Sequence, residues 1–249
     1  MWFMKLSVGI LAVGSLYWDK TCSRNSWRKS RLISTSEPVV IAPIRYGRRS
    51  QSRANTFTMV FSKGAAPGRA RVFRCQHPIA SADDLIGEAE QLWTAERKCS
   101  ISDGHISATW GCVALLIRPG LELPQQFLDD WAGRVSGSPD YGRVLQTADE
   151  GTLVNGRGLL EIDWPEPIDP PYPIDLDLLL ATATCPCLLG SPPRYPTPAE
   201  IADAWGQNPQ QIGYFIENRA NSICTFQDEE ILAHLKEHFP ALYNSCHNC

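Results

Sequence analysis

Residues 11–18 read Leu11-Ala12-Val13-Gly14-Ser15-Leu16-Tyr17-Trp18 and close an apolar run that begins at Leu6. The run is short and stops at a glycine, the pattern of a buried first strand opening into a tight loop. Gly14 is free to take backbone angles that clash for other residues, and it lets a ligand come close to the main chain. Backbone N–H groups in such a loop can hold a carboxylate or a phosphate. Val13, Gly14, Ser15 and Leu16 are therefore candidate ligand-binding residues. A plain strand-ending turn is the competing reading of the same four positions.

Outward from the loop, residues 19–31 are polar and basic, a loop or a short helix. Val39-Val40-Ile41-Ala42-Pro43-Ile44 and Thr56-Phe57-Thr58-Met59-Val60-Phe61 read as the second and third strands, the latter by alternation and β-forming residues. Between them, residues 45–53 carry Arg45, Arg48, Arg49 and Arg53 with Tyr46 and Gly47. Guanidinium groups donate in a planar fork and suit a carboxylate or phosphate partner. The alternative is a solvated hairpin tip. Residues 70–75 form a further strand.

The clearest helix follows, capped by Ser81 or Asp83, with Leu85, Ala89, Leu92 and Trp93 as its apolar stripe. At 100° per residue, Glu96 falls within about 20° of the centre of that stripe and Glu88 on its shoulder. A carboxylate on a buried face is costly unless paired or protonated, which makes Glu96 and then Glu88 candidates for general acid or base work. The opposing reading is an ion pair with an arginine of the basic half. Residues 106–117 supply one or two strands, Pro124 opens a short helix to Trp131, and residues 157–162 return as a strand. Ten of the 19 prolines lie within residues 164–198, a wrapping connector with one brief helix expected at 174–182. Thr197-Pro198-Ala199-Glu200 opens a helix in capping-box style, and residues 227–237 form another.

Charge is unevenly placed. Residues 1–75 hold 14 Lys and Arg against two acids, and residues 76–249 hold nine against 25. No Lys/Arg run exceeds two and the chain is net acidic, which argues against nucleic acid and for pairing between the halves. Nine cysteines without a regular framework are read as reduced thiols in a cytoplasmic protein. Cys185, Cys187, Cys246 and Cys249 are the competing zinc set, weakened because the first pair is only Cys-x-Cys. The amino-terminal apolar residues fit a strand better than a signal peptide. No apolar stretch is long enough to span a bilayer.

Val13-Gly14-Ser15-Leu16-Tyr17-Trp18 resembles the glycine–serine–leucine opening of the γ-glutamylcyclotransferase-like superfamily, in particular its glutathione-degrading branch. Trp110-Gly111-Cys112-Val113-Ala114-Leu115-Leu116 is similar to that family's Trp-Gly strand. Leu128-Asp129-Asp130-Trp131-Ala132-Gly133 resembles its Leu-Asp-x-x-Glu-Gly helix, with Ser136-Gly137 and Tyr141 following in order. Ala132 stands where the family has its catalytic glutamate.

The chain reads as α+β: a mixed, partly closed sheet with flanking helices over residues 1–165, a proline-rich connector at 166–198 and a helical extension at 199–249. The resemblance implies a γ-glutamylcyclotransferase-like β-barrel for the first part. It implies attack of a γ-glutamyl α-amine on its own γ-carbonyl, releasing 5-oxoproline and an amine, without metal or organic cofactor. The loop at 13–16 would cradle the α-carboxylate. Arg45 and Arg53 become candidates to grip an anionic substrate, and Asp129 joins Glu96 and Glu88 as a stand-in for the missing carboxylate. The expected partner is a small anionic or amino-acid-like molecule. The alternative is a non-catalytic binding protein for such a molecule on the same fold. Oligomeric state stays open.

Overall fold

The structure is a computed structural model that describes residues 5–33, 37–99, 102–138, 141, 146–147, 151–168 and 174–247. Eleven strands are described: β1 (Val8–Ala12), β2 (Leu32–Ile33), β3 (Val39–Ser50), β4 (Thr56–Phe61), β5 (Pro67–Cys75), β6 (Ser107–Ala108), β7 (Gly111–Ile117), β8 (Gln146–Thr147), β9 (Gly151–Thr152), β10 (Glu166–Pro167) and β11 (Leu178–Thr184). The eight α-helices among the described residues are α1 (Ser15–Trp18), α2 (Cys22–Arg31), α3 (Ala82–Glu96), α4 (Gln125–Ser136), α5 (Pro198–Gly206), α6 (Gly213–Ala220), α7 (Asp228–His238) and α8 (Pro240–His247).

Nine strands form one mixed sheet in the order β10-β3-β5-β1-β11-β7-β6, with β2 added on β5 and β4 on β3. The fold is α+β as the sequence implies, but the sheet is not closed into a barrel. Its path ends at β10 on one side and at the two-residue β6 on the other. Among the described residues, β8 and β9 pair only with each other.

Two expectations for secondary structure are corrected. The helix expected at 174–182 is instead β11, which pairs parallel to β1 and antiparallel to β7 in the middle of the sheet. All seven of its residues are buried. A strand covered on both faces reads as a continuous apolar run, which periodicity cannot tell from a buried helix. The strand expected at 157–162 is reduced to isolated bridges, Leu115 with Leu159 and Val154 with Leu160.

Helices cover both faces. On one, Val8, Ile10 and Ala12 of β1 pack against Leu85, Ala89, Leu92 and Trp93 of α3 and Trp131 of α4. On the other, Leu11 shares a core with Tyr46, Phe57, Trp205, Phe215, Ile231 and Leu235. The period-two alternation of β1 thus serves two cores at once. Residues of the carboxy-terminal helices pack in the second core, and Gln227 accepts a 2.9 Å hydrogen bond from the Tyr46 N–H. The capping boxes at Ser81–Asp84 and Thr197–Glu200 both form. Basic residues of the first third meet acids placed later in the chain: Arg24 with Glu96, Arg31 with Glu88, Lys63 with Glu161, Arg74 with Asp175.

Asp228, 2% exposed, opens α7. Burial pushes its carboxyl up from an ordinary 3.8 to about 6, although the Thr225 hydroxyl and N–H both donate to it and Arg219 stands 3.9 Å away. An acid whose native pKa is raised contributes stability that is complete below 3.8 and lost as pH rises through about 6. Asp228→Asn keeps an acceptor for Thr225 and is expected to flatten the stability decline across that window. Denaturant midpoints at stepped pH read this directly, and an unchanged slope would reject the assignment.

Candidate functional site

The parallel register of β1 on β11 sets their carboxyl ends side by side. The chains leaving such ends diverge and open a crevice. A cavity of about 750 Å³ lies there. Its walls are Val13, Ser15 and Leu16 after β1, Thr182, Thr184, Cys185 and Cys187 at the end of β11, and residues 96–99 at the end of α3. Arg48, Arg49 and residues 50–53 of the β3–β4 hairpin, Thr58 and Met59 of β4, Arg24 of α2, Thr109, Trp110 and Tyr214 complete it.

Gly14 itself stands behind the wall. Its φ of 62° and ψ of −145° are open to glycine and strained for other residues. A Cβ there would lie 2.3 Å from the Tyr214 hydroxyl. That hydroxyl in turn accepts a 3.1 Å hydrogen bond from the Met59 N–H. Gly14 therefore lets the loop lie directly on α6, and Val13, Ser15 and Leu16 form the cavity surface.

Arg24 is the hub of the site. It is 4% exposed. Its Nη1 donates to Ser15 Oγ at 2.8 Å and to Asp19 Oδ2 at 3.3 Å, its Nη2 to Glu96 Oε2 at 2.6 Å, and its Nε to the Ala95 carbonyl at 3.1 Å. One guanidinium thus ties the loop after β1 to the end of α3. Burial by itself would raise the Asp19 carboxyl, but Lys98, the Thr21 N–H and Arg24 together outweigh it and hold it below the ordinary value. Arg28 secures the same turn by donating to the carbonyls of Leu16 at 2.7 Å and Asp19 at 2.5 Å.

The sequence candidates separate into two groups. Glu96, Val13, Ser15, Leu16 and Arg53 share the cavity. Glu88, Asp129 and Arg45 do not line it. Glu88 is buried in an ion pair with Arg31, whose Nε lies 3.2 Å from Oε2. Its place on the shoulder of the α3 stripe turns it toward α2 and away from the loop. Asp129 is exposed on α4, bonded to Gln125 at 2.7 Å and to Arg157 at 3.2 Å. Ala132, on the same helix, also lies outside the cavity wall. Arg45 sits 4.0 Å over the Tyr195 ring, elsewhere on β3.

β3 contains a bulge between Tyr46 and Arg48, and Arg45 and Arg48 lie on one face of it but on different sides of the bulge along the strand. Tyr46 pairs with Met59 and Arg48 with Thr58, leaving Gly47 as the extra residue. A bulge re-aims the side chains that follow it. Here it places Arg48 on the face opposite Tyr46, where a regular strand would put both on one face. A Cβ on Gly47 would come within 2.8 Å of a Val60 methyl and 3.0 Å of the Tyr195 ring, so any side chain there requires these neighbours to shift.

Arg48 lies 4.5 Å over Trp110, which stacks on Trp93 at 4.6 Å. Arg53 lies 4.7 Å over Tyr214 and 5.7 Å from the Trp18 ring centre. Burial lowers the Arg48 guanidinium from its ordinary value, with Glu96 acting in the opposite sense. Burial pushes the Cys185 thiol up to about 11 even beside Arg48, so it is not a thiolate at neutral pH. Arg24, Arg48, Trp110, Thr182, Thr184 and Tyr214 are the site residues that sequence reasoning missed. Arg24 carries a faint signal, standing one turn from the buried Trp27 on α2, and Arg48 lies in the arginine cluster. The others arrive from elements that only the sheet order brings here.

No three His, Cys, Asp or Glu side chains among the described residues group as a metal site, and Cys249 of the zinc alternative lies outside those residues. Among the described residues, no helix is long and apolar enough to cross a membrane. No protein-family model matches the chain, and no curated protein or solved structure is significantly similar to it.

Proposed function

We propose that the cavity beside the 13–16 loop binds a small amino-acid-like anionic molecule. The observation that supports this most is the lining: Arg24, Arg48, Arg49, Arg53, Arg97 and Lys98 against one carboxylate, Glu96, in a space of about 750 Å³. That volume suits a small ligand rather than a chain or a surface. Guanidinium groups held over aromatic rings keep their forks directed while remaining charged.

A second reading, cyclotransfer on a γ-glutamyl amide, is favoured by the presence of Glu96 in the same cavity as the loop. Glu96 Oε2 is taken by Arg24, and Oε1 has no partner among the described residues. Oε1 is thus the atom that would accept the proton from the α-ammonium. The freed amine then attacks the γ-carbonyl carbon, the bond to the leaving amine breaks, and that amine recovers the proton from Glu96.

Calorimetric titration with γ-glutamyl amides, paired with an assay for 5-oxoproline, tests both readings. Saturable binding is expected in the full chain. If the second reading holds, 5-oxoproline forms and Glu96→Gln lowers its rate by about 100-fold or more while the amide still binds. Binding without product leaves the first reading alone, and no binding rejects both.

A further inference from the structure

From the cavity's uncompensated charge, we infer that it contains a second subsite, formed by Arg48 and Arg53 of the β3–β4 hairpin, that takes the dianionic phosphoryl group of a small ligand. This inference rests on the reading of the cavity as a small-molecule site and goes beyond it in naming the group bound. The first observation is the disposition of charge. Arg24 is shared by Asp19 and Glu96, Lys98 pairs with Asp19 at 2.9 Å, and Arg97 pairs with Asp103. Arg48 and Arg53 have no carboxylate within ion-pair distance among the described residues, yet both are half-buried. Glu96 acts on Arg48 only from beyond ion-pair distance; charge drawn part-way out of water without a paired carboxylate is costly, and an anion in the cavity relieves that cost.

A zwitterionic amino acid has no net charge to offer two guanidiniums, whereas a phosphate monoester carries nearly two negative charges at neutral pH. A tetrahedral oxyanion offers acceptors in several directions to two forked donors, where a planar carboxylate offers fewer. The second observation is mechanical. Arg48 rests on the Trp110–Trp93 stack and Arg53 on Tyr214, the residue that also contacts Gly14. Each guanidinium is braced against an aromatic ring at the cavity wall.

The test is calorimetric titration of the full chain with inorganic phosphate at pH 8 and fixed ionic strength, with succinate and chloride in parallel. Wild type is expected to show one saturable phosphate site, with succinate at least about tenfold weaker and chloride not saturating. Arg48→Gln and Arg53→Gln are each expected to weaken phosphate by about tenfold or more. Glu96→Gln is expected to bind phosphate at least as tightly as wild type, because a like charge has gone. Thermal melts confirm that each variant is folded. Where a glutamine variant is not, Arg→Lys at the same position keeps the charge, loses the fork, and is expected to give a smaller loss.

Absence of saturable phosphate binding, or wild-type affinity in both arginine variants, overturns the subsite. Succinate binding as tight as phosphate overturns the phosphoryl assignment. A γ-glutamyl amide titrated in the same series keeps the two proposals separable. Its failure with phosphate bound rejects the amino-acid-like ligand, and the converse rejects only the phosphoryl subsite.

Discussion

Gly14→Ala is expected to destabilise the protein by about 2–4 kcal/mol and to abolish ligand binding at the 13–16 loop. Two costs combine. The first is backbone strain, because φ of 62° with ψ of −145° excludes an L side chain. The second is displacement of Tyr214, whose hydroxyl would stand 2.3 Å from the new methyl carbon. Moving it strips the buried Met59 N–H of its acceptor. The two costs can be separated. Tyr214→Phe removes the clashing oxygen, so the double variant should lose less than the sum of the singles, an interaction of about 0.5–3 kcal/mol in a double-mutant cycle. Strictly additive losses would show that Tyr214 does not restrain the loop, and a fully stable Gly14→Ala would mean the loop adopts another conformation. Binding is the more sensitive readout, because Val13, Ser15 and Leu16 follow the backbone on either side of Gly14 into the cavity wall.

Trp205→Ala should cost about 3–5 kcal/mol, the range for deleting a fully buried aromatic from a core. Trp205 on α5 is wholly buried, 5.2 Å edge-on to Tyr46 of β3 and 5.1 Å from Phe215 of α6. It joins the sheet to the carboxy-terminal helices, so its loss should lower the melting temperature of the entire protein in one transition, by roughly 10 °C. Two separate transitions, with the sheet melting as in wild type, would instead show that α5–α8 unfold independently. The cavity should feel this change as well, because Tyr214 belongs to α6 and lines the wall, and Trp18 donates to Asn218 of the same helix at 2.6 Å. Weakened ligand binding below the melting transition is therefore expected in Trp205→Ala.

Gly14 and Glu96 show how much of the molecule was legible in advance. Gly14 stood out because an apolar run halting at Gly-Ser has a short-range physical meaning, and the structure gives it the left-handed φ that the reading required. Glu96 was placed by helical geometry alone: 11 residues beyond Leu85 is close to three full turns, so it keeps to the face of α3 that meets the sheet. The same arithmetic set Glu88 inward, but it could not supply the partner. Arg31 comes from α2, 57 residues earlier, and its approach turned a candidate base into an ion pair. Asp129 and Arg45 lie outside this cavity for similar reasons, since a helix or strand position fixes a face but not what the face meets.

By itself, then, the sequence determined the local elements that short-range rules govern: β1 and its glycine stop, the capping boxes of α3 and α5, the apolar stripe of α3, and a charge asymmetry that resolves into pairs within the fold. The tertiary structure alone decided that Leu178–Thr184 is a strand, because its hydrogen-bonding partners, β1 and β7, are far away in the chain. It alone decided that the sheet stays open and that a bulge at Gly47 parts Arg48 from the face of Tyr46. The cavity belongs to this second class. Periodicity and capping act over a few residues, whereas strand order and register are settled by which distant surfaces bury one another, and the walls of the site are drawn from residues 13 to 214 by that burial.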